Sequence, residues 1–340
     1  MDYESYIYRL RRMHQVHFIP LVLWIGMTVI GSWLIGCTSG DKAVNRLIRE
    51  EAKEESATFS PEMSHCFRLP EIPQVITDVQ EQTNYIVTHY WQYCSFEDTT
   101  FVRSDTLEQI FADFIRVLTY TDDEIAVQAI RNLLVASEND SVARYRFRNL
   151  SEHYLDDPNS PLRNEVYYIG VLEQIIGSNY LRSGEKLRYE DRLKQIKKNR
   201  PGMVATNFIY TQANGKRATL YGVKAKYTLL FFYDPDCETC KEMKRIMKED
   251  VWIQELLRQK LLCILAIYPG EEVNEWVRGL VGMPMNWTVG YDAGQQIYGK
   301  QLYSLRALPS FYLLDSKKRV LLKDVALNSV LYYLRHSIEE

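Results

Sequence analysis

The chain has 340 residues, room for two domains, with 46% hydrophobic and 25% charged residues and a formal net charge of -3. No strongly basic stretch offers a track for a phosphate backbone, which argues against nucleic acid as a partner. Six cysteines are too few for a disulfide scaffold of this length, so their positions carry the information.

At the N-terminus Arg9, Arg11 and Arg12 precede an uncharged run over residues 21–36 (LVLWIGMTVIGSWLIG). A basic flank, an apolar core and a small residue before the cut describe a secretory signal over residues 1–36. A retained transmembrane anchor is the alternative, for which the run is slightly short. The Leu34-Ile35-Gly36-Cys37 sequence resembles the lipobox of bacterial lipoproteins. That resemblance implies cleavage before Cys37 and acylation of its thiol and amine. Either reading places the body of the protein in the cell envelope, outside the cytoplasm. Residues 37–73 then hold the lipidated cysteine and a charged tether with too few apolar residues to pack alone.

Residues 74–195 read as helical almost throughout, an all-α domain without a fixed repeat. Ile76, Val79, Tyr85, Ile86, His89, Tyr90 and Tyr93 recur at mixed spacings of three and four. Leu107, Ile110, Phe111, Phe114, Ile115 and Leu118 do so more cleanly behind a cap-like Ser104-Asp105. Further helices are predicted after Asp122, over residues 144–154 and over residues 166–176, with Pro158 and Pro161 breaking the chain before the last.

A basic linker leads to residues 200–340, which change character. Residues 207–210 and 217–221 flank Asn214-Gly215 and predict a β-hairpin. An apolar run, residues 228–233, then breaks at Asp234-Pro235, and Cys237 and Cys240 bracket Glu238-Thr239. Met243, Ile246 and Met247 follow at the spacing of a buried helix face. This is a strand, a turn and a helix whose first turn carries two thiols, where unpaired N–H groups favour a thiolate. Residues 261–268 predict a strand, 271–280 a helix, 310–315 and 319–323 two more strands and 328–338 a closing helix. That order specifies a mixed α/β layer fold.

From about residue 201 onward the sequence resembles the thioredoxin fold, in its extracytoplasmic TlpA/ResA-like branch. GMVATNFIYTQANGKRATL is similar to that branch's additional N-terminal hairpin, CETC to its redox motif, and Leu308-Pro309-Ser310 before FYLLD to its cis-proline loop. The resemblance implies a central mixed sheet flanked by helices, and a Leu308-Pro309 loop that presents its backbone to a bound substrate chain. Upstream, THYWQYCSFED and YLDDPNSPLRNEVYY resemble the helical domain of unknown function found before such modules in Gram-negative envelope lipoproteins. Two positions depart from the pattern. Asp236 replaces the aromatic residue usual before the first cysteine. Phe231 stands where many thioredoxins carry a buried acid, so the proton of Cys240 needs another group or water.

Cys237 is the candidate attacking thiolate and Cys240 the candidate resolving thiol. Asp234, Asp236 and Glu238 disfavour the thiolate and Lys241 alone offsets them, which predicts a reducing couple and a reductase or isomerase. The redox-active Cys237–Cys240 disulfide is the only redox group expected, with no metal and an external thiol electron donor at the membrane. Envelope proteins with disulfides are the expected substrates. The competing reading is a non-enzymatic interaction protein, its helical domain binding an envelope partner and its thioredoxin-like module a scaffold. Cys263, in LLCILAIY, and Cys94, after an aromatic run, read as core, and Cys66 lies near the tether. His89-Tyr90-Trp91 reads as packing more readily than as a ligand platform.

Overall fold

The structure, a computed structural model, describes residues 66–337. The expected signal at residues 1–36, the lipidation site Cys37 and nearly all of the tether lie outside the described residues. Among the described residues no helix is long and apolar enough to cross a membrane. The chain divides into two compact units, with the boundary between Gln174 and Ile175 and residues 157–159 joining the second.

The first unit is helical: α1 (Val79–His89), α2 (Thr99–Val102), α3 (Asp105–Leu118), α4 (Asp123–Ala136), α5 (Ser141–Leu155) and most of α6 (Glu165–Gly177). Short polar side chains start several of these helices by taking up N–H groups that the helix leaves unpaired. Asp78 accepts from Glu81, Ser104 from Leu107 and Asp140 from Val142 and Ala143. The predicted stripe of α3 is buried from Leu107 to Leu118. Trp91 packs edge-on against Phe114 and Phe147, with Phe67 on its other flank. Tyr90 is fully buried and donates to the Ile110 carbonyl at 3.3 Å, while His89 stacks on Tyr85. Val79 and Tyr93, counted into the apolar pattern of α1, are exposed, and Arg68 lies over the Tyr93 ring.

The second unit opens with α7 (Ser183–Ile196), inside the stretch that the sequence assigned to the helical domain. Two of its hydrogen-bond partners are remote in sequence. Arg192 donates to Ser304 Oγ at 2.8 Å, and the Ile196 carbonyl accepts from Lys323 Nζ at 2.7 Å. The strands are β1 (Ile209–Gln212), β2 (Arg217–Thr219), β3 (Tyr227–Phe232), β4 (Leu262–Tyr268), β5 (Thr288–Tyr291), β6 (Ser310–Leu314) and β7 (Val320–Lys323). They form one seven-stranded sheet in the order β2-β1-β5-β4-β3-β6-β7. Strands β3, β4 and β5 run parallel, while β1, β6 and β7 pair antiparallel with their neighbours.

The helices are α8 (Glu238–Glu249), α9 (Val251–Arg258), α10 (Val273–Gly279), α11 (Gln296–Gly299) and α12 (Leu327–His336). Alternation along the strands divides the core into two layers. Leu229, Phe231, Phe311 and Leu313 enter one cluster with Met247, Ile253, Leu256, Val330 and Leu334. Leu230, Phe232, Tyr312 and Leu314 enter the other with Phe208, Tyr210, Ile297 and Tyr303. The α/β order predicted from the sequence therefore stands, with β5, α9 and α11 added to it.

Candidate functional site

Strand β3 is buried at every position and delivers the chain to a tight turn. The Asp234 carboxylate accepts the Asp236 N–H at 2.8 Å, and the Asp234 carbonyl accepts the Cys237 N–H at 3.3 Å. Gly279, at the end of α10, lets Pro235 approach closely. A β-carbon at position 279 would lie 2.6 Å from the Pro235 side chain. So confined, the turn leaves Cys237 in extended backbone as the N-cap of α8. Its sulfur accepts the Cys240 N–H at 3.2 Å, in the place a serine or aspartate oxygen takes at other helix starts. The aligned peptide dipoles of α8 favour negative charge there.

The partner loop comes from far along the chain. Antiparallel pairing sets Phe232 opposite Ser310, so the end of β3 and the start of β6 meet at one edge. The Leu308–Pro309 peptide is cis, and the Cys237 thiol donates to the Leu308 carbonyl at 3.7 Å. Ser310 fixes the entry to β6 by donating to Asp324 at 2.7 Å. Thus Cys237, Cys240, Leu308 and Pro309, read separately in the sequence, converge on one place.

The two thiols differ in surroundings. Cys237 is half-buried, Cys240 is 2% exposed, and both are free thiols. Burial pushes the Cys240 thiol well up, the neighbouring Cys237 adds to this, and a backbone hydrogen bond at Asp234 opposes it. Lys241, expected to offset the nearby carboxylates, is held by Glu238 at 2.7 Å, and both side chains are largely exposed. Phe231 stacks face to face on Phe311 at 5.0 Å and next to Tyr233, so the strand beneath Cys240 presents aromatic rings and no carboxylate.

A cavity of about 180 Å³ opens beside Cys240, lined by Tyr233, Asp234, Lys241, Lys244, Val281 and Met283 among others. The sequence reading missed it and Lys244 with it. The available signal was the four-residue spacing from Cys240 to Lys244.

The other cysteines sit apart from this site. Cys263 contacts Thr288 Oγ1 at 3.5 Å and is only partly buried. Cys66 is buried and donates to Asp98 at 3.3 Å, and Cys94 is partly buried. No group of three His, Cys, Asp or Glu side chains placed to hold a metal ion occurs among the described residues.

A seven-stranded mixed sheet with two cysteines at a helix start and a cis-proline loop facing them defines a thioredoxin-fold dithiol protein. Comparison with known proteins agrees. A crystal structure of a thioredoxin-like protein from Bacteroides caccae is 38% identical, with a TM-score of 0.77, and the match covers 82% of this chain and 99% of that one. The chain belongs to the thioredoxin-like proteins. The thiol-disulfide oxidoreductase ResA of Bacillus thuringiensis is 28% identical over 120 residues, which are 35% of this chain and 66% of that protein. The C-terminal domain of an uncharacterized Bacteroides fragilis protein is 45% identical, covering 41% of this chain and 99% of that one, with a TM-score of 0.40. Residues 43–199 match a family described as a domain of unknown function, DUF5106. At the level of the family, a thiol–disulfide redox role is supported.

Proposed function

We propose that the protein is a membrane-tethered thiol–disulfide oxidoreductase that reduces or isomerises protein disulfides in the cell envelope. One observation carries the reading: the Cys237 sulfur caps α8, faces the Leu308 carbonyl, and has Cys240 one turn behind it. In the first step the Cys237 thiolate attacks a substrate disulfide, forming a mixed disulfide and releasing one substrate thiolate. Cys240 then loses its proton and attacks Cys237 Sγ, closing the Cys237–Cys240 disulfide and releasing the second substrate thiolate. The substrate gains two electrons, and a membrane-bound thiol donor returns the pair to the dithiol. The Leu308–Pro309 backbone aligns the substrate chain beside Cys237. Asp234 and Asp236 keep the couple reducing, since Lys241 is already shared with Glu238.

Reduction of insulin disulfides by the chain from residue 38 onward, with dithiothreitol as donor, tests this. Cys237→Ser is expected to remove the activity, and Cys240→Ala to accumulate mixed disulfides on Cys237. No reduction with any dithiol would instead favour a scaffold whose helical unit binds an envelope partner. Lipidation of Cys37 is the proposed tether. Cys37→Ala should move the protein from the membrane to the soluble fraction, and unchanged membrane recovery would refute that tether.

A further inference from the structure

The cavity beside Cys240 contains a cation that the two-cysteine chemistry leaves unexplained. Lys244 lies one turn after Cys240 on α8, which sets their β-carbons on the same face about 6 Å apart. Both side chains line the cavity. On this helix Lys241 pairs with Glu238 at 2.7 Å, and Arg245 with Glu242 at 2.7 Å and Glu249 at 2.5 Å, while the last-turn Lys248 has no carboxylate pair among the described residues and does not line the cavity. Lys244 has no such pair among the described residues. The charged and titratable groups around it are Lys241 and Lys248 on its own helix and Asp234, Tyr233 and Cys240 at the cavity. The end of α10 and the segment after it contribute Gly279, Val281 and Met283, which carry no charge. Burial, then Lys241 and Lys248, lower the Lys244 pKa, as befits an ammonium drawn partly out of water with like charges beside it.

Cys240 is the group with a use for that charge. As a thiol it cannot resolve a mixed disulfide, and burial holds it in the thiol form. Beneath it Phe231 is stacked on Phe311 and offers no acceptor for the proton. We propose that Lys244 is a positioning residue for the second step: its ammonium, on the helix face it shares with Cys240 and at the same cavity, stabilises the thiolate that Cys240 must become. The cavity rim carries exposed Lys241 and Val281, so the departing proton has a route to solvent. The Cys240 sulfur then bonds to Cys237 Sγ while the bond between Cys237 and the substrate breaks. The electron pair leaves on the substrate sulfur, and no further oxidant is needed. A cation near a sulfur but not in direct contact with it shifts a thiol by about one pKa unit.

The inference rests on the dithiol reading above, yet it can fail separately. Ellman's disulfide, added to the reduced full-length protein, releases thionitrobenzoate twice, first as Cys237 attacks and then as Cys240 resolves. In Lys244→Met the second release should slow about tenfold at neutral pH, with its pH profile displaced upward by about one unit. The first release should keep its rate, and Lys244→Arg should restore the second. An unchanged second release in Lys244→Met overturns the proposal. So does an equal slowing of both releases, or a Lys244→Arg protein as slow as Lys244→Met, since either marks a packing role. If insulin is not reduced by the native protein while the two releases behave as described, the envelope function fails and the role of Lys244 stands.

Discussion

Each unit of the molecule contains two cysteines close enough to influence each other, and of the four only Cys237 stands at a helix start, since burial raises Cys240 as it raises Cys94. In the helical unit Cys66 donates to the Asp98 carboxylate, and Cys94 feels Cys66. Burial pushes both thiols up, Cys94 to about 12, with Asp98 adding to the rise at Cys66. In the second unit the Cys237 sulfur accepts a backbone N–H at a helix start and lies against the cis-proline loop. A carboxylate beside a sulfur keeps the proton on it, whereas a helix N-terminus stabilises the sulfur once the proton has gone. A helix start next to a sulfur, and not the nearness of a second cysteine, is therefore what separates Cys237 from the other three thiols.

The largest expected effect breaks or upholds that contrast directly. Iodoacetamide at neutral pH should label Cys237 at least about a hundredfold faster than Cys66 or Cys94, because only thiolates react. Mass spectrometry of timed digests measures this, and comparable rates at the three sites would dissolve the distinction. Next in size, Trp91→Ala removes the ring that holds Phe67, Phe114 and Phe147 together around the helical unit's cysteines. It should cost about 3–5 kcal/mol of stability in denaturant titrations. Labelling of Cys94 should then rise with no change at Cys237.

The smallest effect concerns pH. The Cys94 thiol is raised from 9.0 to about 12, so below 9 both folded and unfolded chains keep the proton and its stabilising contribution is whole. Above 9 the unfolded chain ionises first and binds fewer protons, so stability falls as pH rises toward 12. Urea midpoints under reducing conditions at about pH 8 and pH 10 should show this fall. Cys94→Ser should lessen it, and an identical fall in that variant would contradict the assignment.

Much of the site could be read from residue order because its pieces are local. The run over β3, the Asp234-Pro235 break and the two cysteines are one uninterrupted stretch, and Leu308-Pro309 announces itself before an apolar strand. What escaped was decided by distant contacts. Strand β5 has four residues and centres on Gly290, where a β-carbon would lie 2.5 Å from Tyr210. Its composition answers to β1 across the sheet, and so it lacks the alternation that marks a strand. Helix α7 is polar and periodic like its predecessors, and its sequence carries no sign of the bonds it makes to Gln301, Ser304 and Lys323 far along the chain. Lys244 looks like an ordinary solvated lysine until Gly279 and Met283 close a wall opposite it.

The sulfur cap of α8 has a consequence for how the protein could be watched at work. A sulfur tied into a disulfide is a poorer acceptor than a thiolate, so oxidation of Cys237 would loosen its hold on the Cys240 amide. The first turn of that helix is a latch that slips whenever the sulfur is occupied. The exchange rate of a single backbone proton should therefore track the oxidation state of the whole molecule.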